Sequence, residues 1–158
     1  MRTVQLIASV AFGVFLLVKG ILPAFQSIGV DFANYYTSSF VLVNDRGNVG
    51  RLYDKAWFDQ RARSLGSPEG GIMQPFPPAT AMMMVPLVAF DLKTAKAIWT
   101  VANLAFMALL VVVLSRLSKI SFTDALFVVL VSGWALVNNF FLGQIYLVTT
   151  LCLALSML

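Results

Sequence analysis

The chain contains no histidine and a single cysteine, Cys152, and only 11% of its 158 residues are charged. Each scarcity removes a class of chemistry. Without histidine the commonest general base and the commonest zinc or haem ligand are gone. Acid–base work therefore falls to a carboxylate, a tyrosine or a lysine. One cysteine permits no intrachain disulfide and tells nothing of the redox compartment. So few charges cannot cover a water-facing surface. The isoelectric point near 9.5 does not signal nucleic acid, because Lys and Arg form no basic block and sit scattered at the ends of apolar segments. No glycine-rich phosphate loop of the Walker type occurs.

Apolar residues are plentiful. They make up 59% of the chain, with a mean hydropathy of +0.86, against about half in ordinary soluble domains. The pattern is that of an all-α polytopic membrane protein. Residues 4–25 (VQLIASVAFGVFLLVKGILPAF) exceed the roughly 20 residues that span a hydrocarbon core of about 30 Å. A cleaved signal peptide competes with a retained helix here. Lys19 within the run and the lack of an A-x-A site after it favour retention. Arg2 and the amino terminus then place the N-terminus in the cytoplasm. Lys19 itself is read as snorkelling to the headgroups, with a contact to a lipid phosphate as the alternative.

Residues 26–76 form an extracytoplasmic loop in which five acids (Asp31, Asp45, Asp54, Asp59, Glu69) meet five bases (Arg46, Arg51, Lys55, Arg61, Arg63). Phe32, Tyr36, Phe40 and Val43 recur at helical spacing, which predicts an amphipathic interfacial helix over 32–43. Asp45-Arg46-Gly47-Asn48 reads as a turn. A second interfacial helix is expected over 55–65, opened by Asp54. GSPEGG (66–71) reads as a flexible link.

Ala79 to Phe90 would cover only about 18 Å as a helix, and Pro86 weakens it. A short re-entrant or interfacial helix over 78–90 is therefore expected instead of a span. Basic residues do not break the tie: Lys93 and Lys96 stand on one side of the choice, Arg116 and Lys119 on the other. Residues 95–115 read as a membrane helix, and so do residues 121–142. Gly143-Gln144 marks a bend, and 144–158 reads as an incomplete membrane helix. The chain ends inside an apolar run, so it is read as a fragment of a longer membrane domain.

Asp31 directly precedes the 32–43 periodicity. As a helix N-cap it would accept from the N–H of Asn34 or Tyr35. Tyr35 and Tyr36 would serve equally as interfacial belt residues. The same place, where a membrane helix meets the outer headgroups, also suits a general base that removes a proton from an attacking hydroxyl. The residues leave both roles open.

The ordered series of a membrane helix, DFANYY, LYD, FPP, FDLKTAKAIWTVANL and GQIYL resembles the amino-terminal part of the polyprenol-phosphate-mannose-dependent α-mannosyltransferases. These form glycosyltransferase family 87, of the GT-C class. The resemblance implies a GT-C-like bundle at the plasma (inner) membrane. It implies transfer of a sugar, mannose in the family, from a polyprenyl-phosphate donor to a glycan or glycolipid acceptor, with inversion. No cofactor, metal or nucleic acid is expected. The acid after the first helix, here Asp31, corresponds to the expected catalytic base. Phe76-Pro77-Pro78 stands where the class carries Tyr, His or Lys before Pro-Pro, a departure that removes a polar group. Gln144 is similar to the glutamine of the family's Gly-Gln pair and would bond sugar hydroxyls, a cap or packing role being the alternative. Among loop cations, Arg46, Arg51, Arg61 and Arg63 are candidates for the departing phosphate, with a solvated or headgroup-facing charge as the favoured alternative for each. Tyr35, Tyr36, Tyr53 and Trp57 are candidates for the sugar, with membrane-surface anchoring as the alternative. A non-catalytic membrane subunit, or a component of a lipid-linked-sugar flippase, is the competing function.

Overall fold

The structure is a computed structural model that describes residues 2–158. Every regular element among the described residues is helical. Helix α1 (Arg2–Leu16) runs through a π-helical turn at Leu17–Ile21 into Leu22–Ala24. Then come α2 (Val30–Asn44), a 3₁₀ turn at Arg46–Arg51, α3 (Lys55–Ser64), α4 (Thr80–Met83), a 3₁₀ turn at Val85–Leu87 and α5 (Leu92–Ser118). Finally α6 (Phe122–Leu130), α7 (Trp134–Asn138) with a π-helical extension at Asn139–Gly143, and α8 (Tyr146–Leu155) complete the chain. Two helices, Thr3–Ala24 and Leu92–Ser118, are long and apolar enough to cross a membrane. The chain divides into two compact units, one of Met1–Gln26 with Trp99–Leu158, the other of Ser27–Ile98.

The first unit is built as lipid-embedded helices are. Only 11% of the apolar window of Thr3–Ala24 is buried, and Val4, Leu6, Ile7, Val10 and Val14 stay exposed. In water such a face would be a liability; against acyl chains it is at home. The packed side gathers Leu16, Ala24, Leu110, Val111, Val129, Val137, Phe140 and Leu151. Gly20 permits a close approach there, since a Cβ would stand 3.2 Å from the Val137 Cα. Polar groups in this unit are paired with one another. Asn103 donates to the Trp99 carbonyl (3.0 Å), Asn139 donates to Asn103 Oδ1 (2.8 Å), and the Leu147 N–H donates to Asn139 Oδ1 (3.2 Å). Trp99 Nε1 donates to the Gly143 carbonyl at 3.0 Å. Gln5 donates to Asp124 at 2.6 Å, which sets the beginnings of α1 and α6 side by side.

The single helix expected over 121–142 is instead two pieces, Phe122–Leu130 and Trp134–Gly143, bent by 76°. Gly133, with φ +54°, sits at the break. Ser132 turns its hydroxyl onto the Val129 carbonyl (2.7 Å), offering the backbone a local alternative to helix continuation.

The second unit is organised around α2. The expected surface helix over 32–43 is in fact buried, with Phe32 through Ser39 all inaccessible in one unbroken run. A helix buried all round calls for partners to its polar side chains, and all but the Thr37 hydroxyl, which is buried without a hydrogen bond among the described residues, have one. Ser38 bonds back to the Asn34 and Tyr35 carbonyls, Ser39 donates to the Ala81 carbonyl (2.7 Å), and Tyr36 donates to the Phe90 carbonyl (2.6 Å). Asn34 accepts from the Ile72 N–H (2.8 Å). Val41, Leu52, Phe58, Met73 and Ala81 form the apolar core beside it. As expected, Asp54 caps α3 by accepting from the Trp57 N–H. The 78–90 stretch forms only the four residues of α4 and a 3₁₀ turn.

The GSPEGG stretch is tied down and is not a loose link. Ser67 donates to the Gly70 carbonyl, Arg63 donates to the Pro68 and Glu69 carbonyls, and the Gly71 N–H donates to Asp59. Gly71 has to be glycine because a Cβ would fall 2.8 Å from Ala62 Cβ and 2.9 Å from Asn34 Oδ1. Gly71→Ala should therefore destabilise the protein by about 1–3 kcal/mol through overpacking, read as a lowered melting temperature in detergent. Gly13→Ala, where nothing lies within 4 Å, should leave it unchanged or raised.

Candidate active site

Asp31 does not cap α2. Gly29, with φ +77°, holds the N-cap position, and Asp31 lies inside the first helical turn. A negative side chain there is favoured by the helix dipole. Its carboxylate is half-buried and acts electrostatically on Lys96. Lys96 is the residue that sequence reasoning missed. It lies in the first turns of α5 and is 1% exposed, with its ammonium 5.7 Å from the centroid of the Phe32 ring. A buried lysine is costly unless an anion and an electron-rich face receive it. Asp31 and Phe32, adjacent in sequence, supply both. The signal was present in the spacing. Leu92, Ala95, Lys96, Trp99, Thr100 and Asn103 recur at helical intervals, and all six are buried. Lys96 thus falls on the stripe that faces protein, whereas Lys93 is exposed.

Phe32, Tyr36 and Phe40 form a ladder along α2, with ring centroids 6.2 and 6.3 Å apart. Each end carries a cation, Lys96 over Phe32 and Arg61 over Phe40 (5.2 Å). Tyr35 follows Asp31 by four residues, one turn along the same face of the helix. Its ring meets Phe76 edge-on at 5.0 Å. Tyr53 donates to the Phe76 carbonyl (2.9 Å), so Tyr35, Tyr53 and Phe76 converge. The Pro77 carbonyl accepts from the Thr80 N–H and hydroxyl, and Pro77 and Pro78 themselves are exposed.

The remaining predicted site residues make contacts of their own. Arg51 is exposed, paired with Asp54 (3.2 Å) and laid over the Trp57 ring at 5.1 Å. Arg46 is exposed on the 3₁₀ turn. Arg61 pairs with Asp45 and Arg63 with Asp59. Tyr36, whose hydroxyl holds the Phe90 carbonyl, is buried in the unit's interior. Gln144 belongs to the first unit, where its N–H donates to the Asn139 carbonyl (2.9 Å) just beyond Gly143. Among the described residues no three Asp, Glu or Cys side chains come together as metal ligands would.

Two groups near this site have altered acidity. Bonds from the Thr94 hydroxyl and N–H and the Lys93 N–H hold the exposed Asp91 carboxyl below its usual range. Burial, with a smaller contribution from the Asp91 charge, pushes the Tyr36 phenol above its ordinary value of 10.0.

Helices suited to a bilayer define a membrane protein, and a half-buried carboxylate within the electrostatic influence of a buried lysine marks the part of its loop unit where acid–base chemistry is sought. The sequence profile described as Glycosyltransferase family 87 matches residues 75–158, which is more than half of the chain. The chain belongs to glycosyltransferase family 87, and its class is that of a membrane glycosyltransferase. The matched stretch includes Phe76-Pro77-Pro78, Lys96 and Gln144, while Asp31 precedes it. No curated protein and no solved structure matches the chain.

The raised Tyr36 value has a consequence for stability. Folding favours the neutral phenol, so its contribution is whole below pH 10 and is lost as pH climbs through the higher folded value. Tyr36→Phe should cost about 1 kcal/mol at neutral pH through the lost hydrogen bond. It should also flatten the alkaline fall in stability, as followed by denaturation at stepped pH.

Proposed function

We propose that the protein transfers a sugar, mannose by the family resemblance, from a polyprenyl-phosphate donor to a glycan or glycolipid acceptor on the extracytoplasmic side of the plasma membrane. Asp31 is the general base. Its carboxylate takes the proton of the acceptor hydroxyl as that oxygen bonds to the anomeric carbon. The bond from that carbon to the lipid phosphate breaks, the phosphate leaves with the electron pair, and the configuration inverts. Lys96 holds the Asp31 carboxylate in position. Tyr35 and Phe76 form a wall beside it. Tyr53, Arg46, Arg51, Pro77, Pro78 and Gln144 are proposed to contribute to donor or acceptor binding. The observation that supports this reading is that Lys96 is buried in the first turns of α5 against the Phe32 ring, within the electrostatic influence of Asp31, because a lysine is rarely buried without a reason beyond packing.

A second reading has one observation in its favour. The 76° break between α6 and α7 is the kind of discontinuous helix found in transporters, and it favours a component that flips lipid-linked sugars. Proteoliposomes separate the two. Transfer to an added acceptor supports the enzyme, while movement of the lipid-linked sugar between leaflets without transfer supports the flippase.

Two substitutions test the base, using the complete membrane protein. Asp31→Asn should lower transfer about 10²–10⁴-fold. It should also lower stability, because Lys96 loses its counter-charge. Lys96→Met alone should reduce both transfer and stability. Combining Asp31→Asn with Lys96→Met should restore most of the melting temperature without restoring transfer, giving a coupling of about 1–3 kcal/mol. Transfer that survives Asp31→Asn would reject the proposed base, and strictly additive stabilities would reject the pairing.

A further inference from the structure

The opposite end of the α2 ladder carries a second polar site. Trp57, Gln60, Arg61 and Ser64 repeat at intervals of three, one and three residues, so α3 turns all four to one face. With Asp45, just past the end of α2, they line a pocket of about 290 Å³. Its groups are held in place. Asp45 forms an ion pair with Arg61 (3.3 Å) through one oxygen and accepts from Asn48 (2.7 Å) through the other. Arg61 lies over the Phe40 ring, and Ser64 donates to the Arg61 carbonyl (2.7 Å). The Arg51 guanidinium is fixed over Trp57. Within this set the Arg61 Nε is buried and has no hydrogen-bond partner. That atom is sealed from solvent, so the polar side chains open to a ligand are those of Asp45, Gln60 and Ser64.

The chemistry narrows the ligand. The Asp45 carboxylate offsets the Arg61 charge and disfavours an anion. An apolar ligand would cover Asp45, Gln60 and Ser64 without giving them a polar partner. A neutral polyhydroxyl ring offers donors to Asp45, partners of either kind to Gln60 and Ser64, and C–H edges to Trp57. The volume lies at the lower end of the roughly 300–1,000 Å³ of small-molecule sites, enough for a single sugar ring. Asp31 and Asp45 are fourteen residues apart along α2, which is about 20 Å of helix. A ring seated here is therefore not the one that reacts.

We infer that the Asp45–Trp57–Gln60–Arg61–Ser64 pocket is a distal saccharide subsite that holds a neutral hexose unit of an extended glycan. Its saccharide binding stands on the pocket alone; its service to the acceptor rests on the glycosyl-transfer reading above. It would make the enzyme prefer acceptors several sugars long.

The test uses the full chain in lipid nanodiscs. Saturation-transfer NMR would follow methyl α-mannoside, linear α-manno-oligosaccharides and the maltose series, with inorganic phosphate added as a competitor. Gln60→Ala and Arg61→Lys are the variants. Gln60 is exposed and alanine is the better helix former, so folding is not at stake. Lysine at 61 keeps the charge opposite Asp45 but loses the guanidinium fork. The neutral saccharides should bind, each variant should weaken that binding about tenfold, equivalent to about one hydrogen bond, and Asp31→Asn should leave it unchanged. In transfer assays Gln60→Ala should raise KM for long acceptors with kcat preserved. Absence of saccharide binding, unchanged binding in both variants, or displacement by phosphate would overturn the inference. If Asp31→Asn retains transfer while the variants still weaken saccharide binding, the proposed base fails and the subsite stands.

Discussion

The loop unit rests on the burial of α2. Eight consecutive residues from Phe32 to Ser39 are removed from solvent, four of them polar by type and two of them tyrosines. Ser38 is satisfied within the helix and the Thr37 hydroxyl has no hydrogen-bond partner among the described residues, but Asn34, Tyr36 and Ser39 reach carbonyls and amides supplied by distant segments. The Ile72 amide, the Ala81 carbonyl and the Phe90 carbonyl each come from a different stretch of chain. The hydrogen bonds that satisfy α2 therefore also fix the path of the loop around it. Gly71 is required where that path passes closest, against Ala62 and Asn34.

The same helix sets out the charges. A row of aromatic rings along α2 ends in a cation at each side, Lys96 over Phe32 and Arg61 over Phe40. Each cation has an acid beside a terminus of the helix, Asp31 at its start and Asp45 just past its end. A cation with an anion and a π face around it can stay out of water at modest cost. The rigid helix keeps the two pairs about 20 Å apart. In the proposed reading, one end carries out the proton transfer and the other holds the remainder of the glycan.

Much of the organisation was legible in the sequence. Long uncharged runs can bury their backbone polar groups only as helices in lipid, so the all-helical class and the two long helices followed from composition and length. Asp54 as the cap of α3 followed from residue type and position. The burial of α2 did not. Its polar residues alternate with apolar ones in a manner that also fits a half-exposed helix, and partners 38 to 54 residues away are invisible to local periodicity. The break at Ser132-Gly133 was passed over because one glycine inside an apolar run is commonly tolerated in membrane helices.

Sequence by itself determined what the chain is made to live in and which residue types were on hand for chemistry. The lack of histidine and the shortage of charge leave few candidates, and neither depends on how the chain is folded. Tertiary structure decided which of those candidates act together. Lys93 and Lys96 are equal in composition and three residues apart, yet only Lys96 is buried and within the influence of Asp31. The reason is packing: residues three apart stand only about 60° apart around a helix, so spacing alone does not separate the two lysines, and only the tertiary fold determines which of them is covered near an acid 65 positions earlier in the chain.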